Sequence, residues 1–332
     1  MTHKIAVVIP FYQKTEGILL KAVRSALGQT GIEHLRIYIV DDASPIPARK
    51  ELEALIESNP GRIVIIEQPN AGPAAARNRG LDSIDTDVEY VAFLDSDDEW
   101  VEDHLSNALK ALDAGFDFYF SDHFQLNQTV SAFNRAGRID VALHPRIGDS
   151  DVLHSYSGDM FNQILMGNII GTPTVVYRYR KFPSLRFREE FVYAGEDYLF
   201  WLEISRLTER ISFSSLCECR CGPGVNIFSG SGWGTEKSLI RLHHEMKFKK
   251  ALNKLFRLSH EQARSTKQAV QALRRSFVAD VLHRIAHRKP LHKDVLLKQM
   301  HVDLRTFAYF PFIAISTALR RGRRGLDRKL DQ

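Results

Sequence analysis

The chain has 332 residues, 44% of them hydrophobic and 26% charged, with only 3 Cys. This is globular composition, and it excludes a disordered or low-complexity chain, a collagenous one and a disulfide-stapled mini-domain. The net charge of +5 conceals an acidic body of −10 over residues 1–240 and a basic tail of +15 over residues 241–332; such a tail suits an anionic surface, and no nucleic-acid-reading motif accompanies it, so nucleic acid is not expected as a partner.

Short apolar runs alternate with helical patterns from the start. Lys4–Pro10 reads as a buried strand, 17–29 as a helix, Leu35–Asp41 as a second strand, and 46–58 as a helix stopped at Asn59-Pro60-Gly61. Residues 62–67 read as a third strand, 73–84 as a helix, 89–95 as a fourth strand, 101–114 as a helix and 116–121 as a fifth strand. Continuous apolar strands alternating with helices predict an α/β fold with a parallel sheet covered on both faces. Ligands of such sheets sit beyond the carboxyl ends of the strands. Residues 129–171 are less regular and suit loops over a site. A strand at 172–177, a helix at 195–207, a strand at 210–221 and a Gly/Ser-rich loop at 222–234 follow. From Thr235 the pattern is helical, so a domain of residues 1–234 and a basic helical region of residues 235–332 are expected.

Two strands end in carboxylates: Asp41-Asp42 after the second, Asp95-Ser96-Asp97-Asp98 after the fourth. Gathered carboxylates repel one another unless a cation or donors compensate. Asp95 and Asp97, two apart with small Ser96 between, can both serve one side of a strand end. Hard oxygen ligands suit Mg²⁺ or Mn²⁺ bridging to a substrate diphosphate. The competing reading is that Asp97 or Asp98 caps the helix that follows. In Asn70–Gly80 (NAGPAAARNRG), Gly72 permits a turn, Pro73 suits a first helical position, and Arg77 or Arg79 can meet a phosphate.

Together VVIPFYQ (7–13), VDDAS (40–44), NAGPAAARNRG (70–80), FLDSDDEW (93–100) and GEDYLFW (195–201) resemble the family 2 glycosyltransferases, which have the GT-A fold; the resemblance covers roughly residues 3–210. It implies transfer of a sugar from a nucleotide diphosphate sugar with inversion. By that similarity Asp42 binds the base, usually uracil, Tyr12 stacks on it, and Pro10 and Phe11 shape the pocket. Asp95, Ser96 and Asp97 would form the D-x-D that meets the ribose and a divalent cation, Mn²⁺ or Mg²⁺. Asp197 would be the general base, with Glu196 as the rival. A UDP-hexose, first UDP-glucose, is the expected donor. The expected acceptor is a saccharide, lipid-linked, in bacterial surface polysaccharide assembly of the succinoglycan type. A nucleotidyltransferase is the alternative enzyme, but Pro10–Gly17 lacks its Gly-rich phosphate loop. An inactive sugar-binding scaffold is the non-enzyme alternative.

Other residues carry weaker signals. Trp100 lines a sugar site or is a core aromatic, Asp122 binds an acceptor hydroxyl or fixes a turn, and Trp233 closes over the donor. His243 is a candidate further metal ligand by resemblance. Cys217, Cys219 and Cys221 alternate on a strand and read as reduced structural thiols. The run 307–319 is apolar and followed by Arg320, Arg321, Arg323 and Arg324. It is too short to span a bilayer, which needs roughly 20 apolar residues, and suits an in-plane anchor. No signal-peptide pattern precedes the first strand. A cytoplasmic protein, peripheral on the inner face of the bacterial inner membrane, is therefore expected.

Overall fold

The computed structural model describes residues 3–225, 231–308, 310–312 and 314–316. Positions 226–230 of the Gly/Ser segment, positions 309, 313 and 317–319 of the apolar run, and the arginines of 320–324 lie outside the described residues. The chain divides into two units, Met1–Val192 with Glu196–Val225 and Tyr193–Gly195 with Asn226–Gln332. The boundary expected at 234 falls inside the second.

The first unit is built on a mixed sheet. Its strands are β1 (Lys4–Phe11), β2 (His34–Asp41), β3 (Ile63–Glu67), β4 (Tyr90–Phe93), β5 (Glu99–Trp100), β6 (Phe118–Phe124), β7 (Leu153–Ser155), β8 (Val176–Arg178) and β9 (Ile211–Arg220). They lie in the order β3-β2-β1-β4-β8-β6-β9-β5, with β7 also on β9. Helices α1 (Ile18–Leu27), α2 (Ala48–Ser58), α3 (Pro73–Ser83), α4 (His104–Asp113), α5 (Ala132–Ala136), α6 (Met160–Met166) and α7 (Glu196–Leu207) accompany it. Ala6, Val7, Val8 and Ile9 of β1 are all fully buried, as a central strand covered on both faces requires. α3 lies close against β1 because position 80 is glycine: a Cβ there would stand 2.5 Å from Val8 Cγ1.

The parallel sheet expected from the sequence is continuous over β3-β2-β1-β4. β8 enters antiparallel between β4 and β6, β9 returns parallel to β6, and β5 and β7 pair antiparallel with β9. The expected strand at 172–177 is divided. Pro173 fixes φ and has no N–H, so Thr172–Thr174 form a 3-10 turn in which the Thr174 N–H and O–H both donate to the Gly171 carbonyl. The helix expected from 101 starts at His104, because Glu99 and Trp100 pair with β9 and the Val101 N–H donates to the Glu218 carbonyl.

The second unit contains α8 (Ser238–Leu255), α9 (His260–Ala286), α10 (Lys293–Val302) and α11 (Leu304–Ala308). Its core gathers Leu239, Leu242, Met246, Val270, Phe277 and Val281. Ser259 and Gln262 form a capping box at the start of α9, satisfying two amides that no helical carbonyl can reach. Asp303 is almost fully buried and accepts from Arg274 at 2.6 and 2.8 Å, from Lys250 at 2.8 Å and from Thr306 at 2.6 Å. No described helix is long and apolar enough to cross a membrane.

Candidate active site

The carboxyl ends of β1, β2 and β4 converge on one edge of the first unit. Asp41, the last residue of β2, accepts the Ser44 and Ala48 N–H groups at 2.8 Å each and so sets the loop into α2. Asp42 is buried and faces the other way. Its Oδ1 accepts from Gln68 Nε2 at 2.7 Å and from the Ala71 N–H at 2.8 Å, and its Oδ2 from the Gly72 N–H at 2.8 Å. Its carbonyl accepts from Asn70 Nδ2. Asp42, which the resemblance assigns to the base, thus also ties β2 to the loop that opens α3. Beside it lies an open cavity of about 440 Å³ lined by Asp41, Ala43, Ser44, Pro47, Glu67, Gln68 and Pro69. Ala43, at φ 53°, holds a left-handed turn at its rim, a conformation a non-glycine residue keeps only under constraint.

The loop after β1 completes this side. The Phe11 ring is buried, while its carbonyl accepts the Asp42 N–H at 3.0 Å. Pro10 and Tyr12 are half-buried. Gln13 spans two strand ends: its N–H donates to Ser44 Oγ and its Nε2 to Ser96 Oγ, both at 3.0 Å.

Beyond β4, Arg77 collects carboxylates. Its Nη2 donates to Asp95 Oδ1 at 2.7 Å, and its Nη1 stands 3.7 Å from Glu196 Oε1. The guanidinium is buried, lies 5.3 Å from the centre of the Phe187 ring, and leaves Nε and Nη1 without hydrogen-bond partners. The side chain expected to meet a phosphate is thus engaged by the strand-end acid, and Arg79 is exposed on the outer face of α3. Glu196 and Asp197 open α7, where the helix N-terminus favours negative charge. Burial and the Asp197 charge push the Glu196 carboxyl up to about 8, although Arg77 opposes them. Burial also raises Asp197, against the Tyr198 N–H that its Oδ1 accepts at 2.7 Å. Carboxylates this close oppose each other's ionisation.

Asp97 and Asp98 do not cap α4, whose N-cap position is Asp103. Asp97 Oδ2 accepts the Gly224 N–H at 2.9 Å, and burial with the Asp95 charge pushes its carboxyl up to about 6. Asp98 is buried, accepts the Gly222 N–H at 2.9 Å, and is raised by burial. Two acids whose charges oppose each other at an open strand end, one already pushed toward protonation, offer the donor set that a hard divalent cation relieves. Among the described residues no ready group of three or more His, Cys, Asp or Glu ligands occurs. Asp95 and Asp97 are the residues that would hold such a cation, with a diphosphate and water left to complete its ligands.

Several weaker candidates have identifiable neighbours. His243 belongs to the core of the second unit, where its Nδ1 meets Gln299 Oε1 at 2.8 Å. Trp100 is buried, with Nε1 donating to the Pro173 carbonyl. Asp122 is buried and accepts the His123 and Phe133 N–H groups. Trp233 is about half exposed and lies 6.0 Å from the His283 ring. The three cysteines are free thiols; register shifts against β6 interrupt the simple alternation expected of them. Sequence reasoning missed Gln68, which braces Asp42, and Asn78, whose amide bonds both ways with Phe187 and also donates to Glu189. Both lay inside or beside the quoted motifs but carry no charge. A separate open cavity of about 850 Å³ lies at the far end of α7, lined by Tyr156, Asp159, Phe161, Arg206 and Glu209 among others.

Residues 6–170 match the profile of Glycosyl transferase family 2. The chain is 33% identical over 233 residues to the succinoglycan biosynthesis protein ExoW of Rhizobium meliloti (strain 1021), covering 68% of this chain and 70% of that protein. It is 31% identical over 226 residues to an uncharacterized glycosyltransferase of Rickettsia conorii, covering 68% of this chain but 34% of that protein. The crystal structure of S. aureus TarS 1-349 in complex with UDP superposes with a TM-score of 0.54 at 18% identity, covering 95% of this chain and 87% of that one. The same protein in complex with UDP-GlcNAc gives a TM-score of 0.53. At such identity the likeness shows the fold, which is the GT-A fold.

Proposed function

The chain belongs to glycosyl transferase family 2, and is a glycosyltransferase; on that premise we propose that it moves a hexose from a UDP-sugar, with UDP-glucose the first candidate, onto a lipid-linked saccharide acceptor in bacterial surface polysaccharide assembly. The observation that carries this reading is the meeting of Asp95, Arg77, Glu196 and Asp197 at the carboxyl end of β4, with Asp97 beside them. Solved neighbours in complex with UDP and with UDP-GlcNAc support the donor class. The succinoglycan protein supports the pathway class.

In this reading the nucleoside occupies the cavity edged by Ala43, Ser44 and Gln68, near Asp42 and Tyr12. Asp97 and Asp95 would hold a divalent cation, which when bound would supply charge neutralisation for the departing diphosphate. Asp197 accepts the proton of the acceptor hydroxyl as its oxygen forms a bond to the anomeric carbon. The bond from that carbon to the diphosphate breaks, UDP leaves with the electron pair, and one displacement inverts the centre. Arg77 keeps the acids of β4 and α7 in register.

The second unit supports a place at a membrane surface. Leu297 and Met300 of α10, Leu304 at the start of α11 and Ile315 beyond it are 43–64% exposed, and Lys293, Lys298, His301 and Arg305 are exposed near them in sequence. An apolar stripe edged with cations suits the headgroup region of an anionic bilayer, here the inner face of the inner membrane.

The test is a panel of UDP-sugars given to the full chain with Mn²⁺ or Mg²⁺, following UDP release. The expected result is release from one UDP-hexose, dependent on the cation and lost in Asp97→Ala with an unchanged circular dichroism spectrum. Consumption of a nucleoside triphosphate with pyrophosphate release, and none of the UDP-sugars, would establish the nucleotidyltransferase instead.

A further inference from the structure

The segment that leaves β9, Gly222-Pro223-Gly224, takes no part in the reaction described above, yet it lies directly on the acidic motif. The Gly222 N–H donates to Asp98 Oδ1 and the Gly224 N–H to Asp97 Oδ2, each at 2.9 Å, across 124 and 127 positions of sequence. No larger residue could approach so closely. A Cβ on Gly222 would stand 1.7 Å from the Asp97 carbonyl oxygen, and one on Gly224 would stand 2.4 Å from Asp97 Cγ and Oδ2. Neither glycine has a left-handed φ, so space rather than backbone conformation demands them. Pro223 fixes its own φ and restricts Gly222 before it. The strap is anchored where the Cys221 N–H donates to the Phe124 carbonyl at 2.8 Å.

We propose that Gly222-Pro223-Gly224 is a positioning strap for the D-x-D, engaging one oxygen of Asp97 and one of Asp98 so that Asp97 presents its other oxygen to a divalent cation in a single orientation. A carboxylate turns broadly about its terminal torsion. Three aspartates close together would otherwise offer competing arrangements. An amide on Oδ2 leaves Oδ1 as a one-oxygen ligand, the mode a small cation with few protein ligands uses. The amide on Asp98 keeps that acid directed away from the same cation. The strap rests on the metal reading of Asp97 and assigns to it residues that the motif itself does not contain.

The test measures Mn²⁺ binding directly, from the electron paramagnetic resonance signal of free Mn²⁺, on the full chain with UDP present and against UDP alone. Gly224→Ala should weaken binding at least tenfold with thermal unfolding unchanged. In turnover the Mn²⁺ concentration for half-activation should rise by the same factor, and kcat should recover at saturating Mn²⁺. Gly232→Ala is the control, since a Cβ there meets nothing closer than 3.9 Å; it should bind as wild type does. Wild-type affinity in both Gly222→Ala and Gly224→Ala would overturn the strap while leaving the metal reading intact. Absence of Mn²⁺ binding in the wild type would remove the metal reading and the proposal with it. Should the glycine variants fail to fold, Asp97→Ala decides through hydrogen exchange: the Gly224 amide should exchange at least tenfold faster, and unchanged exchange overturns the proposal.

Discussion

Arg77 and Asp95 are joined by one hydrogen bond of 2.7 Å, from a guanidinium only 6% exposed to a carboxylate 29% exposed. One member is committed to the interior and the other stands at the mouth of the site. With Glu196 3.7 Å from the same guanidinium, the arginine is the buried counter-charge of the acidic cluster. Removing one partner of a buried pair costs about 3–5 kcal/mol, because the other is left uncompensated. Asp95 keeps part of its solvation at 29% exposure, so Arg77→Met should lower unfolding free energy by less than this, by about 1–3 kcal/mol, in urea titration. Arg77→Lys keeps the charge but loses the planar fork, and should recover part of the loss.

The acid pair at the start of α7 makes a kinetic prediction. Burial and the Asp197 charge raise the Glu196 carboxyl to about 8, and burial raises Asp197 as well; in the proposed reading Asp197 is the base and Glu196 its protonated neighbour. Asp197→Asn should reduce transfer by about 10²–10⁴-fold, the usual contribution of a general base, with UDP binding retained. Glu196→Gln imitates the protonated state and should lose far less. The wild-type rate should reach its plateau below pH 8. A rate still climbing through pH 8, and abolished in Glu196→Gln, would transfer the role to Glu196.

Binding to vesicles tests the stripe on α10 and α11. Leu297 and Leu304 are 60% and 64% exposed, so replacing each with Glu should change stability by no more than about 0.5 kcal/mol. The double variant should lose flotation with anionic vesicles. The wild type should float with them at low salt, weakly at high salt and poorly with neutral ones, as screening of surface charge requires. Equal flotation of both proteins would remove the membrane assignment.

Acid should loosen the second unit through Asp303. Burial alone would raise its carboxyl, but hydrogen bonds from Arg274, Lys250 and Thr306 outweigh burial and hold it well below the usual carboxylate range. A depressed folded value means that the stabilisation is complete above the unfolded value of about 3.9 and is lost as pH falls toward the folded one. Asp303→Asn should cost about 3 kcal/mol at pH 7, since Arg274 and Lys250 both lose the carboxylate to which they donate. That difference should shrink in unfolding experiments carried out at progressively lower pH.

How much of this was legible beforehand depended on distance along the chain. The runs at 4–10, 35–41 and 62–67 announced strands because apolar continuity is local, and β1, β2 and β3 stand at those places within one or two residues. The acids at 41–42 and 95–98 could be placed at strand ends for the same reason. Their partners could not. Asp42 is braced by Gln68, 26 positions on, and Asp97 by a glycine amide 127 positions on; no periodicity records either. The antiparallel entry of β8 was hidden as well, because three residues carry no pattern and the proline before them ends the run that seemed to continue it.

The late arrival of β9 has a consequence for synthesis. Glu218, fully buried, receives His104, Asn107 and Tyr119 at 2.9, 2.8 and 2.6 Å, from elements made 99–114 residues earlier. At about 5–20 residues per second, a ribosome leaves those groups waiting on the order of ten seconds for their anchor. A nascent chain stalled near residue 170 carries most of the family's signature yet has an unfinished sheet edge, open to chaperones and to other chains emerging nearby. Truncated genes that retain every motif up to that point should accordingly yield aggregates rather than slow enzymes.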